Sequence, residues 1–131
     1  MEVQVAHTRL FVEDIAVCAE FYRDVLKFKP VTIQVEKGYA EFEMANMRLS
    51  LFLRREIAEI LRTSERPVAD GCQDKFGIIL QVHDLDDIYR ELRKADVAFA
   101  EPPTQNSEFS LKVAYCRDPE GNLIGLFEAM M

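Results

Sequence analysis

Residues 6–31 read AHTRLFVEDIAVCAEFYRDVLKFKPV. The first part alternates, with Leu10 and Val12 on one side and His7, Arg9 and Phe11 on the other, as the two faces of a half-buried strand do. At Asp14 the period changes. Ile15, Cys18, Ala19, Tyr22, Val25 and Leu26 recur at helical spacing, and Asp14 stands where a side-chain oxygen accepts from the unpaired N–H groups of a helix start. Pro30 is the expected stop, since proline cannot continue a helix. The stretch therefore predicts a strand over 3–12 and a helix over 15–28.

Downstream, three more strands are expected: VTIQV at 31–35, YAEFEMA at 39–45 and MRLSLFL at 47–53, the last two joined by a tight turn at Asn46. This completes one βαβββ module over 1–54. Residues 55–75 show no clear period, although REIAEILR could form a short helix, and read as a connector. Over 76–131 the order of elements repeats. FGIILQV at 76–82 alternates, Asp84 stands at the cap position of LDDIYRELRKA, VAFA at 97–100 extends, LKVAYC at 111–116 is a strand and NLIGLFE at 122–128 closes the chain. An offset of 70 places Asp14 on Asp84 and Val12 on Val82, and an offset of 75 places Ser50 on Gly125 and Phe52 on Phe127. The same order of elements met twice is the signature of an internal repeat.

The fold class is α+β: two βαβββ modules in one domain over 1–131, each with a helix on one face of a four-stranded sheet. The two uncovered faces are expected to enclose a ligand cleft. Alternation assigns His7, Arg9 and Phe11, then Tyr39, Glu41 and Glu43, then Arg48, Ser50 and Phe52 to that cleft from the first module. From the second come Gly77, Ile79 and Gln81, then Leu123, Gly125 and Phe127. We take His7, Arg9, Phe11, Tyr39, Glu41, Glu43, Arg48, Ser50, Phe52, Gln81, Gly125 and Phe127 as the candidate ligand-binding residues. A glycine inside a strand, as at Gly125, marks a bulge or a close approach to the backbone, and here it reads as room for a ligand.

The chain has 131 residues, enough for one self-sufficient core, and is 49% hydrophobic and 30% charged. Its formal net charge of −7, with no basic block, argues against nucleic acid and mildly favours a cationic ligand. Three cysteines (Cys18, Cys72, Cys116) without a CxxC spacing are expected as free thiols in a reducing compartment. The opening MEVQVAHTRLFV has no basic region leading into an apolar core, so no signal peptide is expected, and no apolar run approaches a membrane span. A cytoplasmic protein is the expectation. Nothing resembles a Ser-His-Asp triad, a phosphate-cradling loop or a nucleotide fingerprint.

The opening segment, together with DPEGNLIGLFE at 118–128 and the duplicated βαβββ order, resembles the vicinal oxygen chelate superfamily of glyoxalases, bleomycin-resistance proteins and extradiol dioxygenases. The resemblance implies a metal site of four inward-facing positions, which fall here on His7, Ser50, Gly77 and Gly125. Divalent metals of this kind take nitrogen and oxygen donors about 2 Å away, and only His7 supplies one in the usual way. No cofactor and no metal are therefore expected. Three readings stay open. The first is a metal-independent small-molecule binder of the bleomycin-resistance type that sequesters a cationic or aromatic drug or metabolite, as a homodimer. The second is a lyase, isomerase or dioxygenase with a rebuilt site around His7, Glu41 and Glu43, and the third a protein-interaction module. The other histidine, His83, reads as a surface residue before the second helix. Glu41 and Glu43 also read as ion-pair partners of Arg9 or Arg48 across neighbouring strands.

Overall fold

In the computed structural model, which describes residues 2, 4–68, 73–74, 76–107 and 109–130, the chain divides into two units, Met1–Gly71 and Cys72–Met131. Each carries one four-stranded mixed sheet, with helices α1 (Ile15–Glu20) and α2 (Arg54–Ile60) in the first unit and α3 (Leu85–Lys94) in the second. Cys72 and residues 69–71 and 75 of the expected connector lie outside the described residues.

The first sheet runs in the order β1-β4-β3-β2, with β1 (His7–Val12), β2 (Lys29–Gln34), β3 (Tyr39–Met44) and β4 (Met47–Leu53). β1 is parallel to β4, and the other pairs are antiparallel. β1 begins four residues later than its alternation suggests. The register sets His7 opposite Arg48, and β4 itself begins at Met47, so residues further upstream have little partner strand to pair with. Asp14 caps the helix α1 (Ile15–Glu20) as expected, its Oδ1 accepting from the Val17 N–H at 3.1 Å. The chain then widens into a π-helical turn over Phe21–Val25, with the Leu26 N–H bonded to the Phe21 carbonyl at 3.1 Å. Within this turn two successive aromatics, Phe21 and Tyr22, are both buried, their rings packed edge to face with centroids 5.2 Å apart. Tyr22 packs on Phe28 and Phe42 with ring centroids 5.8 and 6.2 Å apart. Pro30 does not end the helix; the left-handed Lys27 follows its last turn, and Pro30 lies within β2. An edge strand tolerates proline because one row of its N–H groups faces no partner.

The hairpin between β3 and β4 turns through Ala45 and Asn46, as expected, with Ala45 carrying the left-handed backbone (φ 53°). Gly38 closes the turn before β3 with φ 68°, and a Cβ there would lie 2.6 Å from Leu53 Cδ1, so both conformation and space call for glycine. Val12, Phe42, Leu49 and Leu51 are fully buried on the face where α1 meets β3 and β4. Within the stretch read as connector, Arg54–Ile60 forms a helix, α2.

The second sheet runs β5-β8-β7-β6, with β5 (Gly77–Gln81) parallel to β8 (Leu123–Ala129), and β7 (Leu111–Arg117) and β6 (Thr104–Asn106) antiparallel. VAFA contributes one bridge, Phe99 to Cys116, and the fourth strand is the polar, exposed TQN, whose sequence has no apolar alternation to reveal it. In the DPEGN turn Asp118, 5% exposed, accepts from the N–H groups of Glu120 and Asn122 at 2.9 and 2.8 Å. Gly121 takes φ 84° to complete the reversal.

Helix α3 (Leu85–Lys94) corrects the second cap. Asp84 has left-handed backbone (φ 57°), whereas side-chain capping needs an extended residue, and its carboxylate makes no cap bond. Glu128 of β8 does the work instead, accepting from the Asp84 and Leu85 N–H groups at 3.1 and 3.2 Å. Replacing Glu128 by alanine should therefore cost about 1 kcal/mol in urea unfolding. Asp84→Asn, which keeps a residue that tolerates left-handed backbone, should change little, and the reverse ranking would contradict this assignment.

Candidate functional site

Strand pairing lays the uncovered face of the first sheet out as three rows. His7, Arg48 and Glu43 align across β1, β4 and β3, with Lys29 of β2 beyond Glu43. Arg9, Ser50, Glu41 and Thr32 form the middle row, and Phe11, Phe52, Tyr39 and Gln34 the third. Nine of the twelve candidate residues thus share one surface. Alternation alone missed Thr32 and Gln34, which extend it on β2, where the Gln34 amide donates to the Thr32 hydroxyl at 3.0 Å. Their pairing opposite Glu41 and Tyr39 was the signal that could have placed them.

The middle row is held by polar contacts. Glu41, whose side chain is 12% exposed, accepts from the Tyr39 hydroxyl at 2.6 Å and from Arg48 Nη1. A carboxylate so withdrawn from water requires such donors. The Tyr39 hydroxyl holds the Glu41 carboxyl below its ordinary range, assisted by Arg48 and by the nearby His7 and opposed by desolvation. Burial first, and then donation to Glu41, push the Tyr39 phenol up, so it is neutral at physiological pH. Glu43 pairs with Lys29 at 3.7 Å rather than with Arg9 or Arg48; both groups are well exposed, and such a pair contributes less than about 1 kcal/mol. Ser50, fully buried, accepts from Arg9 Nε at 2.8 Å. The Arg9 guanidinium lies 5.4 Å from the centroid of Tyr39 and 6.0 Å from that of Phe52. His7 and Phe11 are exposed.

The other three candidates belong to the second sheet, where Gln81 aligns with Phe127 and Ile79 with Gly125. The room expected at Gly125 is taken. A Cβ there would meet Ile79 Cδ1 at 2.8 Å and the ring edges of Phe127 and Tyr115 at 3.1 Å. Those two rings pack edge to face, centroids 5.9 Å apart. The glycine thus makes space for its neighbours' side chains and leaves no hole for a ligand at the strand. Tyr115 is 40% and Ile79 54% exposed, so around Gly125 this face is apolar where the middle row of the first sheet is charged.

Among the described residues no three His, Cys, Asp or Glu side chains gather in a metal-holding group. Glu128 is occupied at the start of α3, and His83 is exposed in the turn before it. Cys18 is fully buried, and burial, with Asp118 second, pushes the Cys116 thiol up to about 11, so neither is an available nucleophile.

A family model described as Glyoxalase/Bleomycin resistance protein/Dioxygenase superfamily matches residues 4–126. Uncharacterized protein YraH of Bacillus subtilis (strain 168) is 31% identical over 122 residues, spanning 93% of this chain and 95% of that protein. Virulence protein STM3117 of Salmonella typhimurium (strain LT2) is 26% identical over 123 residues, 92% of this chain and 81% of that protein. The crystal structure of a glyoxalase/bleomycin resistance protein/dioxygenase family enzyme from Burkholderia phytofirmans PsJN superposes with a TM-score of 0.80 at 17% identity, covering 95% of this chain and 97% of that one. At that identity the likeness is one of fold.

The Glu41 network has a pH signature. A carboxyl held below its ordinary range contributes stability above that range and loses it as pH falls through it. Glu41→Gln should therefore destabilise the protein by about 1–2 kcal/mol at neutral pH. The gap to the parent should shrink on acidification through the carboxylate range in urea titrations, and a gap independent of pH would contradict the network.

Proposed function

Because this chain belongs to the Glyoxalase/Bleomycin resistance protein/Dioxygenase superfamily, we propose that it is a metal-independent member that binds and sequesters a small organic molecule on the uncovered face of its first sheet. The observation that carries this reading is the state of the four positions where the resemblance implies metal ligands. His7 alone can donate in the ordinary way. The Ser50 hydroxyl is buried beneath Arg9 and accepts from it, Gly77 offers no side chain, and the space over Gly125 is filled by Ile79, Tyr115 and Phe127. These residues do not fit a divalent cation.

A rebuilt site at His7, Glu41 and Glu43 finds no comparable support. Glu41 would have to surrender Arg48 and Tyr39 to a metal, and Glu43 aligns with Arg48 and pairs with Lys29. For binding, by contrast, the face combines rings (Tyr39, Phe52 and Phe11) with side chains already fixed by hydrogen bonds, the mixture of apolar wall and few oriented polar groups that small-molecule sites use. A homodimer in the cytoplasm is part of the same proposal. Unbridged Cys18 and Cys116 support a reducing compartment, and among the described residues no helix is long and apolar enough to cross a membrane.

Metal titration tests the reading. Dialysed protein titrated with zinc, nickel, manganese and iron(II) is expected to bind none stoichiometrically, in parent and His7→Ala alike. One tightly bound equivalent that disappears in His7→Ala would overturn it.

A further inference from the structure

Arg9 is the one group of the charged face whose charge is not met by a carboxylate. Glu41 is engaged by Arg48 and Glu43 by Lys29, and among the described residues no carboxylate lies within ion-pair distance of Arg9. Its guanidinium is nevertheless held in place. Nε donates to the buried Ser50 hydroxyl at 2.8 Å, and the flat group lies against the rings of Tyr39 and Phe52. With Nε committed to Ser50, the donors left for a ligand are those of the two terminal nitrogens, close to the Tyr39 hydroxyl, and this pair matches the two oxygens of a carboxylate approached end-on. Fixing the side chain beforehand removes much of the ordering cost that a long flexible cation pays on binding.

We infer that Arg9 is the anion-recognising residue of this surface and that the molecule bound there is a small aromatic carboxylate, its charged end on Arg9 and its ring beside Tyr39 and Phe52. The inference rests on the small-molecule-binding reading above and gives it a ligand class. It also reverses the charge expected from composition. The net charge of −7 belongs to the whole chain, whereas recognition depends on local groups, and the acidic groups of this face are already paired. The neutral Tyr39 phenol adds no negative charge to repel a carboxylate.

The test is a set of matched probes, benzoate, benzamide and benzylamine with their naphthyl counterparts, titrated into full-length protein and followed by amide chemical shifts. The expected result is that the carboxylates bind about tenfold or more tightly than matched amides and amines, as one charge-assisted contact provides. Added salt should weaken that preference. Arg9→Gln should abolish it, and Arg9→Lys, which keeps the charge and loses the fork, should retain part of it; thermal unfolding of both variants checks that the fold is intact. If amides or amines bind as well as carboxylates, or Arg9→Gln keeps the preference, the assignment of Arg9 and of a carboxylate fails while small-molecule binding stands. If no probe binds the parent protein, both readings fail together.

Discussion

Val12, Phe42, Leu49 and Leu51 are fully buried on the face where α1 meets the first sheet, and successive strand residues point to opposite faces. That burial fixes the register, since a slip of one residue would carry the apolar set into solvent and Arg48, Ser50 and Glu41 under the helix. Everything proposed for the uncovered face follows from it. The row Arg9, Ser50, Glu41 exists because β4 is parallel to β1, antiparallel to β3 and pinned from behind by its leucines.

On that face the polar groups satisfy one another before any ligand arrives. Glu41 is nearly withdrawn from water and survives as a carboxylate because Tyr39 and Arg48 donate to it, while Ser50 is covered by the arginine it anchors. Two consequences compete. Saturated acids are poor metal ligands and poor partners for a cation, whereas an arginine secured through Nε keeps its terminal donors for an acceptor from outside. Net charge alone would point the other way.

Much of the fold was legible in the sequence because it rests on local rules. Alternation gave β4 to the residue, the Asp14 cap held, and the repeat placed β5, β7 and β8 within a residue or two. What escaped depended on distant partners or on backbone freedom. The π turn at Phe21–Val25 answers to aromatic packing with Phe28 and Phe42, β6 is a polar edge, and the α3 cap comes from Glu128, 44 residues beyond Asp84. The candidate residues of the first sheet were placed on the right face by parity, but not their pairings: Lys29 for Glu43 and Ser50 for Arg9 are side-chain choices that a period of two cannot rank. Gly125 shows the same limit, since an absent side chain left open whether a ligand or its neighbours would fill the gap.

The central claim is that Arg9 is held in place before any ligand binds. The side-chain Nε–H resonance of Arg9 reports this directly in a nitrogen-15 spectrum of the ligand-free protein. The account predicts a resolved signal, protected from exchange with water at neutral pH, that collapses into the envelope of solvent-exposed arginines in Ser50→Ala. An Arg9 signal already averaged and rapidly exchanging in the parent protein, and unaltered by Ser50→Ala, would contradict it.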